Sequence, residues 1–160
     1  MITAFERFME TSLGLYAIGA RTESGFRPRR RQQINVTLPA VLALFRGDAA
    51  FVGWVDPQAV TRRAEKWLRG GEPFQTALTP LSALLVYVLQ MRNVIAHESD
   101  SAFDKYEKAT RHLYGALPSR LQPGEQLMSP PPGGLAGVTG ASLFSGVVTA
   151  YRWIGAAVVR

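Results

Sequence analysis

Two histidines, His97 and His112, are the only side chains in this 160-residue sequence whose ordinary pKa lies close to neutrality. With no cysteine present, thiol nucleophiles, thiolate zinc sites, iron–sulfur clusters and disulfides are all excluded. Metal ligation would have to come from His97, Glu98, Asp100 and Asp104, a set without H-x-x-x-H or cysteine-based spacing, so neither a metal nor another cofactor is expected. The sequence carries no G-x-x-x-x-G-K phosphate loop and no G-x-S-x-G nucleophile elbow. The two histidines therefore make a short list of acid–base candidates.

The residues around His97 sharpen that reading. The chain runs Met91-Arg92-Asn93-Val94-Ile95-Ala96-His97-Glu98, and Arg92 falls on the helical stripe otherwise occupied by Leu85, Val88 and Ile95. A guanidinium does not enter a dry core unpaired, so the stripe must meet a carboxylate there or open into a wet cleft or interface. Asn93 and His97 are four apart and share a face. Arg92 and His97 are five apart, about 140° around an ideal helix, so they converge only if Arg92 reaches around or the helix ends near His97. The Glu98-Ser99-Asp100-Ser101 run predicts such an end. The competing reading is a structural pair, with Arg92 and His97 tying the helix end to Glu98 or Asp104. His112, on the polar side of the next helix with Lys105 and Lys108, is expected to be solvated, and Tyr106 and Tyr114 to serve core or interface.

The elements that must position these groups are helical. Phe5, Phe8, Met9, Leu13, Tyr16 and Ala20 recur at steps of three and four behind a Thr3 to Glu6 capping box, predicting a helix to about Ala20. A short helix can follow over 38–45, interrupted by Gly47-Asp48. Asp56-Pro57 starts a helix with Val60, Ala64, Trp67 and Leu68 on one face, ending at Gly70-Gly71. Thr79-Pro80 starts the most apolar and hence central one, with Leu81, Leu85, Val88, Arg92 and Ile95 in line. Ser101-x-x-Asp104 opens another, with Phe103, Tyr106, Thr110, Leu113 and Leu117 inward. A Pro/Gly-rich connector over 118–140 leads to a closing helix facing inward through Phe144, Val147, Val148, Tyr151, Ile154 and Val158. The expected architecture is an all-α bundle of about five helices in one domain over 1–160.

The stretch from Arg92 to His97 resembles the HEPN superfamily, whose signature is an arginine, a polar residue often asparagine, and a histidine four to six positions after the arginine, at a helix end in an α-helical bundle. Arg92, Asn93 and His97 fit that pattern. The wording Arg-Asn-Val-Ile-Ala-His-Glu is similar to that of stand-alone bacterial HEPN proteins of defence and toxin–antitoxin systems, most specifically over 81–114. The resemblance implies metal-independent RNA cleavage. His97 would be general base or acid, Arg92 would stabilise the scissile phosphate, and Asn93 would orient one or the other. The implied products are a 2′,3′-cyclic phosphate and a 5′-hydroxyl. It also implies a homodimer with the active site at the interface, since one chain offers one motif histidine, and an antitoxin or defence-system partner protein. Some members of the superfamily are instead non-catalytic scaffolds or nucleotide binders.

Charge agrees with an RNA partner. Eighteen Lys and Arg against twelve Asp and Glu give +6, and the segment 24–47 has no acid while carrying Arg27, Arg29, Arg30 and Arg31. This predicts an exposed basic loop able to contact an RNA backbone. The N-terminus does not read as a signal peptide. The uncharged stretch 127–151 is too rich in proline and glycine for a membrane span. The expected location is the cytoplasm, away from membranes.

Overall fold

The structure, a computed structural model, describes residues 2–47, 53–119, 122–131 and 140–160. It is all-α, with no strand among the described residues and one isolated antiparallel bridge between Arg30 and Leu68. The helices are α1 (Ile2–Ala17), α2 (Leu38–Arg46), α3 (Pro57–Trp67), α4 (Phe74–Leu78), α5 (Ser82–His97), α6 (Asp100–Tyr114), α7 (Pro123–Met128) and α8 (Leu143–Val159). They form two compact units. The first takes in Met1–Thr79 with Ile154–Arg160, the second Pro80–Trp153.

In the first unit, α1 buries Phe5, Met9, Leu13, Tyr16 and Ala17, the periodic face expected of it. It begins at Ile2, so Thr3 lies inside the first turn rather than capping it, and Glu6 Oε1 is buried without a hydrogen-bond partner among the described residues. It stops at Ala17, short of Ala20. Gly19 turns left-handed with φ 99°, its N–H bonds the Tyr16 carbonyl at 3.0 Å, and the Ala20 N–H bonds that of Leu15 at 2.9 Å. This is a Schellman ending, which glycine adopts without steric cost.

Gly14 lets α2 close onto α1: a Cβ there would sit 2.8 Å from Leu38 Cδ1 and 2.9 Å from Leu42 Cδ2. The Arg46 fork donates to the Glu10 carboxylate at 3.1 and 3.4 Å. On α3 the Asp56 side chain accepts from the N–H groups of Gln58 and Ala59 at 3.0 and 3.4 Å, with Pro57 at the first position, as the sequence suggested. Val60, Ala64 and Leu68 are fully buried on its inner face, Val60 and Leu68 each contributing roughly 1.5–3 kcal/mol on burial. Phe74, Ala77 and Leu78 of α4 join that core. Nothing in the sequence announces α4, because its five residues between Gly71 and Pro80 are too few to display a period.

In the second unit, α5 and α6 form a helical hairpin. Leu84, Leu85, Tyr87, Val88 and Met91 are buried on α5, and Ala102, Tyr106, Ala109 and Thr110 on α6. Tyr87 and Tyr106 are fully buried, with hydroxyls 3.2 Å apart and ring centroids at 5.5 Å. Tyr114 packs edge-on against Tyr87 at 5.8 Å. Three details differ from expectation. Ser99, not Ser101, caps α6, its Oγ accepting from the Ala102 N–H at 3.3 Å. Gly115 ends α6 in the left-handed region before Leu117 can join it, and Phe103 is 42% exposed.

The connector holds a short helix, α7, with Pro123 in its first turn and Glu125 near its start; its residues 120–121 and 132–139 lie outside the described residues, as does Asp48 of the expected Gly47-Asp48 break. On α8 the buried line is Leu143, Val147, Ala150, Ile154 and Val158, while Phe144 is 51% exposed. The expected stripe began one residue late, which rotates its first turn by about 100°. The helical run Arg69–His97 is long and apolar enough to cross a membrane by length and composition. It is not one continuous helix, since Gly70 adopts φ 67° within it.

Candidate functional site

The end of α5 leaves the packed core. The expected stripe is buried at Leu81, Leu85 and Val88, as is Met91 beside it; Arg92, Asn93 and Val94 are then half-buried, and from Ile95 to Glu98 every residue is exposed. Ile95, expected inside, is 57% exposed. The reason lies in the turn. Glu98 closes α5 with φ 44° and ψ 33°, a left-handed conformation unusual for a residue with a side chain. Ser99 then caps α6 at once, which leaves a linker too short to cover the last turn of α5. His97 therefore ends the helix, as the Glu98-Ser99-Asp100-Ser101 run predicted.

That exposed end frames a cavity of about 210 Å³ lined by Gln90, Asn93, His97, Ser99, Ser101, Ala102 and Lys105. Gln90, Asn93 and His97 succeed one another at steps of three and four on one face of α5. Ser101 and Lys105 do the same on α6. The wall thus offers an imidazole, an ammonium, two amides and two hydroxyls. Gln90 Oε1 is buried without a hydrogen-bond partner among the described residues. His97 is exposed and makes no hydrogen bond or ion pair among the described residues, so it does not itself tie the helix end to Glu98 or Asp104. The imidazole, amides, ammonium and hydroxyls suit an anionic, hydroxyl-bearing ligand.

Of the residues singled out by sequence, Asn93 and His97 share this cavity. Arg92 does not line it but lies half-buried on the adjoining face of α5, as five residues of separation dictate. Gln90, Ser99, Ser101 and Lys105 were not anticipated as lining. The signal for Lys105 was its four-residue spacing from Ser101, meaningful only once the Glu98-Ser99 turn folds α6 back along α5. His112 is exposed, as expected, and Tyr106 belongs to the core. No group of three or more histidine, cysteine, aspartate or glutamate side chains placed to hold a metal occurs among the described residues.

Arg27, Arg29, Arg30 and Arg31 lie in the first unit, on an irregular segment. Arg27, Arg29 and Arg31 are exposed and Arg30 half-buried. The segment is anchored by its backbone. The Arg31 N–H donates to the Trp67 carbonyl at 2.8 Å, and the Arg69 N–H to that of Arg29 at 2.7 Å. Pro28 is buried between the exposed arginines. Compared with models of protein families, with curated proteins and with solved structures, the chain matches none.

Proposed function

We propose that the chain is a HEPN-type endoribonuclease that cleaves RNA without a metal, as a homodimer whose site is completed by two copies. The observation that carries this reading is His97. It is exposed at a helix end, held by no intramolecular partner among the described residues, and shares a small cavity with Asn93 and Lys105. One His97 takes the proton from a ribose 2′-hydroxyl as that oxygen bonds to phosphorus. The P–O5′ bond breaks, and the leaving oxygen takes a proton from the second copy's imidazole. The products are a 2′,3′-cyclic phosphate and a 5′-hydroxyl. Arg92 and Lys105 offset charge gathering on the phosphate oxygens, and Asn93 fixes the imidazole or the phosphate. At about 210 Å³ the cavity is smaller than the roughly 300–1,000 Å³ usual for a ligand site. It suits one phosphate and part of a ribose, which agrees with two copies sharing the substrate. Exposed Ile95 and Phe103 flank the same hairpin end and provide apolar surface for the pairing.

In this reading the protein acts in the cytoplasm, in phage defence or toxin–antitoxin growth control, restrained by a partner protein. Incubation with RNA in excess chelator yields cyclic-phosphate ends, and His97→Ala or Arg92→Ala abolishes them. Cleavage unchanged in both variants would refute the assignment. A second reading, a non-catalytic scaffold or nucleotide binder, is favoured by the position of Arg92 off the cavity wall. It predicts a stable complex with a protein or nucleotide and no turnover.

A further inference from the structure

The turn that ends α1 gathers two of the loop arginines. A Cβ built on Gly19 would lie 3.0 Å from Arg27 Nη2 and 3.1 Å from both Cζ and Nη1 of Arg30. Two guanidinium groups therefore meet at one point of the backbone, which only a residue without a side chain leaves open. Neither takes part in an ion pair or hydrogen bond among the described residues. They are not needed to cap α1 either, because the Leu15 and Tyr16 carbonyls are satisfied by Ala20 and Gly19.

Like charges this close repel, and their N–H donors are unspent, so an ordinary reason for bringing them together within the chain is missing. A doubly hydrogen-bonding anion supplies one: a phosphate presents several oxygens that two planar forks can grip at once. The approach is built by the fold rather than by a floppy loop. The Thr22 N–H donates to the Phe26 carbonyl at 2.8 Å, the Gly25 N–H to that of Thr22 at 3.0 Å, and the bridge to Leu68 fixes Arg30. The atoms nearest that point belong to Arg27 and Arg30 and not to Arg29 or Arg31.

We propose that Arg27 and Arg30, brought together over Gly19, form a two-guanidinium clamp for one phosphate group of an RNA backbone. The clamp rests on the RNA-binding part of the function proposed above, not on cleavage. Arg29 and Arg31 contribute charge but not the grip. The clamp depends on fork geometry, so lysine, which keeps the charge, does not replace it.

The test uses the full chain carrying His97→Ala, which keeps RNA intact during binding. Affinity for a short single-stranded RNA is measured by fluorescence anisotropy at fixed salt, and inorganic phosphate is titrated while the arginine Nε–H signals are followed by NMR. Arg27→Lys/Arg30→Lys is expected to weaken RNA binding at least about tenfold, the loss of one or more charge-assisted hydrogen bonds. Arg7→Lys, an exposed control on α1, leaves the affinity unchanged. Gly19→Ala keeps the net charge while pushing its methyl onto both guanidiniums, and is expected to reproduce the loss; its melting temperature shows that the chain is folded. RNA affinity undiminished in the double lysine variant overturns the clamp. So does phosphate binding at both arginines with RNA affinity untouched, which would assign the pair to free phosphate. Absence of cleavage by the His97-intact protein alongside a lysine-sensitive RNA affinity would refute the nuclease reading and leave the clamp standing.

Discussion

Replacing Tyr87 with phenylalanine removes one hydroxyl from the middle of the α5–α6 hairpin and leaves another stranded. Tyr87 and Tyr106 are both fully buried, and their hydroxyls are within 3.2 Å of each other. The Thr110 hydroxyl donates to the Tyr106 backbone carbonyl at 2.8 Å. Without Tyr87, the Tyr106 hydroxyl stays out of water and loses its tyrosine partner, a cost of about 1–3 kcal/mol. That corresponds to about 2–4 °C of melting temperature per kcal/mol for a chain of this length. Tyr106→Phe strands the other member and costs about the same. The double variant strands nothing and keeps both rings in their tilted contact, so it costs less than the sum, with a coupling of about 1 kcal/mol. Urea unfolding followed by far-ultraviolet circular dichroism measures the four corners of the cycle. Hydrogen exchange at the α5 and α6 amides confirms that the loss falls on this hairpin. Additive costs, within about 0.3–0.5 kcal/mol, would show that the two hydroxyls do not support each other and refute the reasoning.

The same cluster dictates behaviour in alkali. Burial, ahead of every other cause, raises the pKa of Tyr87, Tyr106 and Tyr114 above the ordinary tyrosine value near 10. The native state thus keeps protons that the unfolded chain releases: the stabilisation is complete below pH about 10 and drains away as pH rises beyond it. Denaturation midpoints measured from neutral pH upward should be flat on this account and then fall. Asp56→Ala removes the acceptor for two N–H groups of α3 and is expected to cost about 1 kcal/mol in chemical denaturation. Glu98→Gly relieves a left-handed backbone at the end of α5 and should stabilise the hairpin by up to about 1 kcal/mol, read as a raised melting temperature.

What could be read from the sequence depended on how many turns carried the signal. The α3 helix announced itself through Asp56-Pro57 and a two-faced run of eleven residues, and α5 through its apolar length. The α4 and α7 helices are too short to show a period. The α8 helix is apolar on several sides, so Phe144 and Leu143 could not be ranked until neighbours chose between them. At the site, Asn93 and His97 were legible because four-residue spacing is a property of any helix. The exposure of Ile95 was not, because it follows from how abruptly Glu98 and Ser99 turn the chain. Lys105 joins the cavity for the same reason. Along the stripe, Val88 is buried and Arg92 half-buried, where the charge interrupts the apolar pattern.

The cavity around His97 is local in the chain, since every residue lining it falls between Gln90 and Lys105. Closing it requires only that two successive helices meet across a minimal turn, a small loop-closure entropy compared with uniting distant segments. Such a constellation assembles on the timescale of helix pairing rather than of the whole fold. It persists for as long as the hairpin does, even while segments elsewhere open. A chain still incompletely folded would thus already hold the side chains of this cavity in place.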